Sequence, residues 1–264
     1  LGRGLAEHPA VAAVPIRTAM ELLAYPERIT EAPLRRTLEY SHLRWCNTEG
    51  TRLALSKPLS GRLPSKALRW AARTASTFTA SQRGVLGLAS LHERSAARRP
   101  EVQHYIQLLD QWKTNVVFCA HQRPLEVLPL ILAARRVGIP TATFIFSWDN
   151  LTTKGRIAAP FDYFLVWSDR MREELLHFYP DIAADQVFVV GSPQFELYAD
   201  QDFGWSRDQL FAELGLDPAR KLICYSGGDT RTCPDDPEHL DLLCRLIEDG
   251  QIDGDPQVVL RPAP

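Results

Sequence analysis

The sequence has no CxxC pair, no HxxxH or HExxH, no GxSxG, and neither a GxGxxG nor a Walker-type glycine loop. The first three absences remove the usual zinc spacings. The fourth removes the nucleophile elbow of α/β-hydrolases, and the last two remove the common nucleotide-phosphate loops. No apolar run approaches the ~20 residues that a membrane span needs. Net charge is scarce as well: 30 Lys and Arg stand against 32 Asp and Glu, a formal net charge of -2. That balance argues against nucleic acid as a partner held by bulk electrostatics. The densest basic group, Arg94 to Arg99, lies in a helix-like stretch and reads as a solvated face rather than a phosphate or membrane patch. Cysteine is sparse and odd in number: Cys46, Cys119, Cys224, Cys233 and Cys244. Two of them, Cys119 and Cys224, fall in apolar runs. Reduced, mostly buried thiols in a cytosolic protein are therefore expected, with neither a disulfide frame nor a metal site.

What is present is enough apolar material for a core. The chain has 264 residues, 45% of them hydrophobic, which suits one large domain or two small ones. The first hundred residues give a weak pattern: a helix end over 1–8, a short strand at Ala10 to Ile16, a helical scrap at Thr18 to Leu23, and helical pieces such as Pro33 to Leu43. Ser65 to Arg99 reads as one or two helices interrupted near Gly84 and Gly87. From Pro100 the signal sharpens. A helix to about Lys113 precedes a strand at Asn115 to Ala120. A helix from Leu125 to Val137, capped by Gly138, precedes a strand at Pro140 to Phe146. A strand at Asp162 to Trp167, a helix at Asp169 to Phe178 and a strand at Val187 to Val190 follow. The strands are continuous apolar runs, the pattern of a parallel sheet covered on both faces. Gln194 to Gly204 then reads as a linker. The pattern restarts with a helix from Ser206 to Leu214, a strand at Lys221 to Tyr225, a helix at Pro237 to Asp249 and a strand at Gln257 to Leu260.

Ligands of open parallel sheets bind beyond the carboxyl ends of the strands. The polar cluster Ser147-Trp148-Asp149-Asn150-Leu151-Thr152-Thr153-Lys154 follows one such end and is the first candidate site. His121 follows the strand before it. An Asp149 carboxylate and a neighbouring His121 imidazole suit general-base work on a hydroxyl. Asp149 reads equally as an Asx turn or cap, and His121 as a solvated or capping histidine. Gly191 and Ser192 follow the last strand of this half. In the second half Ser226-Gly227-Gly228-Asp229-Thr230 follows a strand, and two adjacent glycines let backbone N–H groups approach a phosphate. An ordinary tight turn explains them as well. Arg231 lies close enough in sequence to add a bidentate donor.

Five segments in order, PTATFIFSWDNLTTKG (Pro140 to Gly155), DYFLVWS (Asp162 to Ser168), VFVVGSPQF (Val187 to Phe195), LICYSGG (Leu222 to Gly228) and VLRPAP (Val258 to Pro264), resemble the GT-B glycosyltransferase superfamily. The resemblance is to bacterial surface-polysaccharide glycosyltransferases and the related CDP-glycerol glycerophosphotransferases, and it covers about residues 100–264. It implies two Rossmann-like parallel-sheet domains: an acceptor domain over 1–200, missing its first strand, and the truncated start of a nucleotide-donor domain over 201–264. On this reading the chain is a fragment. Asp149 falls where the glycerophosphotransferases carry a catalytic histidine, and Ala263 replaces the histidine of their Arg-Pro-His-Pro. These departures put phosphotransfer in doubt.

The resemblance implies an enzyme that moves a sugar from a nucleotide-sugar donor to a hydroxyl of a glycan or lipid-linked acceptor, without metal or cofactor. Asp149 and His121 would be catalytic. Trp148, Asn150, Thr152, Thr153, Lys154, Gly191 and Ser192 would hold substrate. Ser226, Gly227, Gly228, Arg231 and Arg261 would hold the donor phosphates. The expected location is cytoplasmic, with peripheral contact at the inner membrane face left open. Three alternatives remain: a polyol-phosphate transferase using a CDP-glycerol-type donor, a sugar-nucleotide epimerase, and a non-catalytic GT-B-like partner protein.

Overall fold

The computed structural model describes residues 22–26, 28, 30–59, 63–198, 204–230 and 233–262. The helix end expected over 1–8 and the strand expected at Ala10 to Ile16 lie outside them. The chain divides into two units, Leu1–Ser192 and Pro193–Pro264.

The first unit begins with a helical array: α1 (Ala32–Cys46), α2 (Glu49–Ser56), α3 (Leu63–Thr79), α4 (Gln82–Ala96) and α5 (Pro100–Gln111). Pro33 sits in the first turn of α1, where its missing N–H costs nothing, and Asn47 ends that helix in the left-handed conformation. Thr48 caps α2 by accepting the Thr51 N–H. The break expected near Gly84 and Gly87 falls earlier, at Ala80 and Ser81, and both glycines are helical. Ser81 Oγ accepts the Gly84 N–H and starts α4. A Cβ on Gly84 would stand 2.4 Å from the Thr79 carbonyl oxygen. That glycine therefore permits the tight joint between the helices instead of breaking one of them.

The sheet follows: β1 (Val117–Cys119), α6 (Val127–Arg136), β2 (Thr141–Phe144), the one-turn α7 (Asn150–Thr153), β3 (Tyr163–Val166), α8 (Asp169–Phe178) and β4 (Val187–Val189). The order is β1-β2-β3-β4 and all neighbours are parallel. This is the α/β, Rossmann-like parallel arrangement expected from the apolar runs, but the expected cover on both faces is not met. Among the described residues the helices cover one face, and Phe118, Tyr163 and Phe188 stand exposed on the other. Gly138 follows α6 at φ +75, as expected of a C-terminal stop. One face of the sheet, with Val117, Phe164, Val166 and Val187, packs into a core with Tyr105, Leu128, Ile131 and Leu175 from the helices.

A buried ion pair ties the array together. Arg99 Nη1 donates to Glu31 Oε2 at 2.7 Å, and the two side chains are 1% and 5% exposed. Arg99 also donates to the Pro26 carbonyl and stacks over the Tyr25 ring. Further along α1, Tyr179 Oη and Cys46 Sγ both approach His42 Nε2, at 3.2 and 3.4 Å. Burial lowers the His42 pKa to about 3, so the imidazole is neutral.

The second unit holds a short 3-10 turn at Pro193–Tyr198, overlapping the start of the stretch expected to be linker, and then α9 (Arg207–Leu214), β5 (Leu222–Ser226), α10 (Asp236–Glu248) and β6 (Gln257–Arg261). Ser206 and Gln209 form a reciprocal cap at the start of α9, and Gly215 ends it at φ +63. β5 and β6 pair in parallel. All five cysteines are free, but only Cys46 is buried. Cys224 and Cys233 are exposed, against the expectation of mostly buried thiols. The cause at Cys224 is that the two-stranded sheet leaves that position uncovered. Among the described residues no helix is long and apolar enough to cross a membrane.

Candidate functional site

Four parallel strands bring the segments that follow them to one edge. His121 follows β1, Ser147 to Asn150 follow β2, Ser168 and Asp169 follow β3, and Gly191 and Ser192 follow β4. The edge is closed between β1 and β2 by Gln122. Its side-chain oxygen accepts the Phe146 N–H at 3.2 Å and its carbonyl accepts the Ala158 N–H.

Asp149 is held by side chains rather than by a helix cap. Ser147 Oγ donates to Oδ1 at 2.6 Å, and Thr153 Oγ1 donates to Oδ2 at 2.9 Å. Lys154 Nζ lies 3.8 Å from Oδ2, and the Asp149 side chain is 26% exposed. Partial burial favours the protonated acid. The Ser147 and Thr153 hydroxyls and the Lys154 ammonium outweigh it and hold the carboxyl below its ordinary pKa. The carboxylate is thus ionised, fixed and partly open to solvent. Trp148, beside it, is 67% exposed.

His121 stacks on Phe146 with ring centroids 4.8 Å apart. Its Nδ1 accepts the Arg123 N–H at 3.1 Å. Partial burial and the Arg123 charge lower its pKa, so the ring is neutral and carries its proton on Nε2. In this tautomer His121 is a donor through Nε2, not a base.

Asn150 and Ser192 are less available than their positions promised. Asn150 is 7% exposed, and its Nδ2 and the Ser192 Oγ are buried without a hydrogen-bond partner. Thr152 Oγ1 donates to the Asp149 carbonyl at 3.3 Å, and the one Thr153 hydroxyl proton is shared between that carbonyl at 2.8 Å and Oδ2 at 2.9 Å. Gly191 takes φ +78, and a Cβ there would meet nothing within 4 Å, so its backbone conformation accounts for the glycine.

Two positioning residues came from outside the expected site. Thr48 Oγ1 donates to the Thr152 carbonyl. A Cβ on Gly50 would stand 2.7 Å from Thr153 Cγ2. Together they press the first turn of α2 against α7 and fix the Thr153 hydroxyl that holds Asp149. They lie about a hundred residues away from it in the chain, and no spacing rule links them.

In the second unit four of the five donor-site candidates, Ser226, Gly227, Gly228 and Arg261, lie close together. Ser226 pairs with Arg261 across the strands, the Arg261 carbonyl accepts the Gly227 N–H at 2.9 Å, and Arg261 Nη1 lies 3.4 Å from Ser226 Oγ. Arg231 lies outside the described residues. The Gly228 N–H is already engaged by Asp236 Oδ2 at 2.6 Å, while Tyr225 Oη donates to Asp236 Oδ1 at 3.0 Å. Both glycine N–H groups therefore have internal acceptors. A Cβ on Gly228 would stand 2.5 Å from Cys233 Sγ, so packing alone requires that glycine. Among the described residues no three His, Cys, Asp or Glu side chains gather as metal ligands would.

No protein-family model matches the chain, and no curated protein is significantly similar to it.

Proposed function

We propose that the chain is a GT-B-type glycosyltransferase whose acceptor hydroxyl is activated at the carboxyl edge of the four-stranded sheet. The observation that supports this best is Asp149: an ionised carboxylate anchored on both oxygens, partly open, beside an exposed tryptophan. A flat aromatic ring next to a carboxylate suits a sugar, since the ring covers C–H groups while the acid takes a hydroxyl.

In the proposed reaction the acceptor hydroxyl gives its proton to Asp149. The oxygen electron pair forms the new bond at the anomeric carbon, and the bond to the nucleoside diphosphate breaks with its electrons leaving on the phosphate. Asp149 is a weak base because its pKa is low, so proton transfer accompanies attack and does not precede it. His121 Nε2–H can donate to a substrate oxygen. Within the second unit taken by itself, Arg261 and Ser226 are groups suited to binding a phosphate.

One observation favours the non-catalytic partner as a second reading. Asp236 occupies the Gly228 N–H that a phosphate would use, and a fixed carboxylate there repels an anion. The experiment is nucleotide release from UDP-, GDP-, CDP- and dTDP-linked sugars and from CDP-glycerol. Release from one sugar donor, dependent on an added hydroxyl acceptor, is the expected result. Release from CDP-glycerol would move the function to polyol-phosphate transfer, and acceptor-independent conversion of a nucleotide sugar would indicate an epimerase. No binding of any donor would favour the non-catalytic reading.

A further inference from the structure

Parallel sheets are normally covered on both faces, and among the described residues of the first unit only one face is. Strand registration puts Phe118, Ala142 and Tyr163 side by side on the other face, and Phe144, Leu165 and Phe188 in the next row. Val116, Phe146 and Val190 extend the same face one step past the strand ends. Phe118 is 56% exposed, Phe146 51%, Phe188 48%, Tyr163 42%, Val116 56% and Val190 51%. None of the six strand residues belongs to the core cluster that packs the opposite face. Consecutive parallel neighbours joined by crossovers of one hand carry their connecting helices on one side, which leaves the other side bare.

We propose that this face is the interface of a homodimer in which two copies of the chain pack sheet against sheet. The area supports an occupant of protein size. The four exposed rings alone leave roughly 300–500 Å² of apolar surface in water. With the two valines the patch lies at or beyond the roughly 300–600 Å² of the largest patch on a monomer. It supplies about half or more of the roughly 800 Å² that each partner of a standard interface buries. The chemistry supports a second copy. A two-fold interface sets each patch against itself, so any charge on it meets its own sign. Every residue on this face is uncharged, and aromatics dominate it, as they do the buried centres of interfaces. Two sheet faces pack at about 10 Å with their side chains interdigitated. The contact does not depend on the proposed reaction.

The test is sedimentation of the full chain across micromolar concentrations, with Phe118→Asp, Phe188→Asp and, on a separate strand, Tyr163→Lys. The wild type should sediment as a dimer. Each substitution should weaken association by more than about tenfold, because a charge is set against an apolar partner. Near-ultraviolet circular dichroism keeps the test decisive: variants that retain the native signal and become monomeric support the interface. A wild type that is monomeric throughout the range overturns it, and hydrogen exchange on β1 to β4 then reports whether another part of the same chain covers the face. A dimer unaffected by all three substitutions overturns it equally.

Discussion

At the residue scale the candidate site rests on how Asp149 is held. Asp149 makes no side-chain cap bond to α7, and its two carboxylate oxygens accept the hydroxyls of Ser147 and Thr153. Replacing Thr153 by Val keeps the shape and removes one donor. The Asp149 pKa should then rise toward its ordinary value, which a carboxyl NMR titration reads directly; an unmoved titration would show that the Thr153 hydroxyl does not matter to Asp149. The polar cluster itself was legible, since an abrupt end to an apolar strand marks where a parallel sheet meets solvent. The direction of each side chain was not. Nothing in the local sequence says that Asn150 is buried, that Thr152 and Thr153 point back to a carbonyl, or that Arg123 sets the tautomer of His121.

At the element scale the four strands and the helices α6 and α8 were legible because each is continuous in the chain, whereas the one-turn α7 was not. The α8 helix at Asp169–Phe178 and α9 at Arg207–Leu214 carry their own start and stop signals, Ser168 and Ser206 as caps and Gly215 as the end of α9. The helical array was harder to read, because its joints are tertiary. Gly84 looks like a breaker and is a contact point, and Gly50 lies inside α2 against Thr153. Gly50→Ala would drive a methyl into Thr153, costing about 1–3 kcal/mol, and would also displace the Thr153 hydroxyl from Asp149. Denaturant midpoints and transfer rates should fall together; a stability loss with the rate unchanged would show that α2 does not position the site. The Arg99–Glu31 pair makes a second claim at this scale. Arg99→Met leaves the Glu31 carboxylate buried and uncompensated, at a cost of about 3–5 kcal/mol. Adding Glu31→Gln should restore part of that loss, and no restoration would mean that Arg99 acts through its second partner, Glu101, or by packing, and not through Glu31.

At the scale of the whole molecule, buried histidines set the response to acid. Burial holds His42 near a pKa of about 3 and lowers that of His92 as well. Unfolded, both imidazoles take up a proton below about pH 6.5. The unfolded state then carries more protons than the folded one, so stability present above that pH is lost as pH falls toward the folded values. The slope is up to about 1.4 kcal/mol per pH unit for each group. Urea midpoints should drop steadily on acidification from about pH 6.5, and less steeply in His42→Gln. A midpoint that stayed level would contradict the buried neutral state of both rings.

The central claim is that Asp149 takes the proton from an acceptor hydroxyl. Its most direct test is the single-turnover rate of sugar transfer by Asp149→Asn beside the wild type, with the donor that the release panel identifies. The account predicts a rate lower by roughly 100- to 10,000-fold, with donor affinity unchanged and the fold intact. An Asp149→Asn variant that turns over at the wild-type rate would contradict it and return Asp149 to a purely structural role.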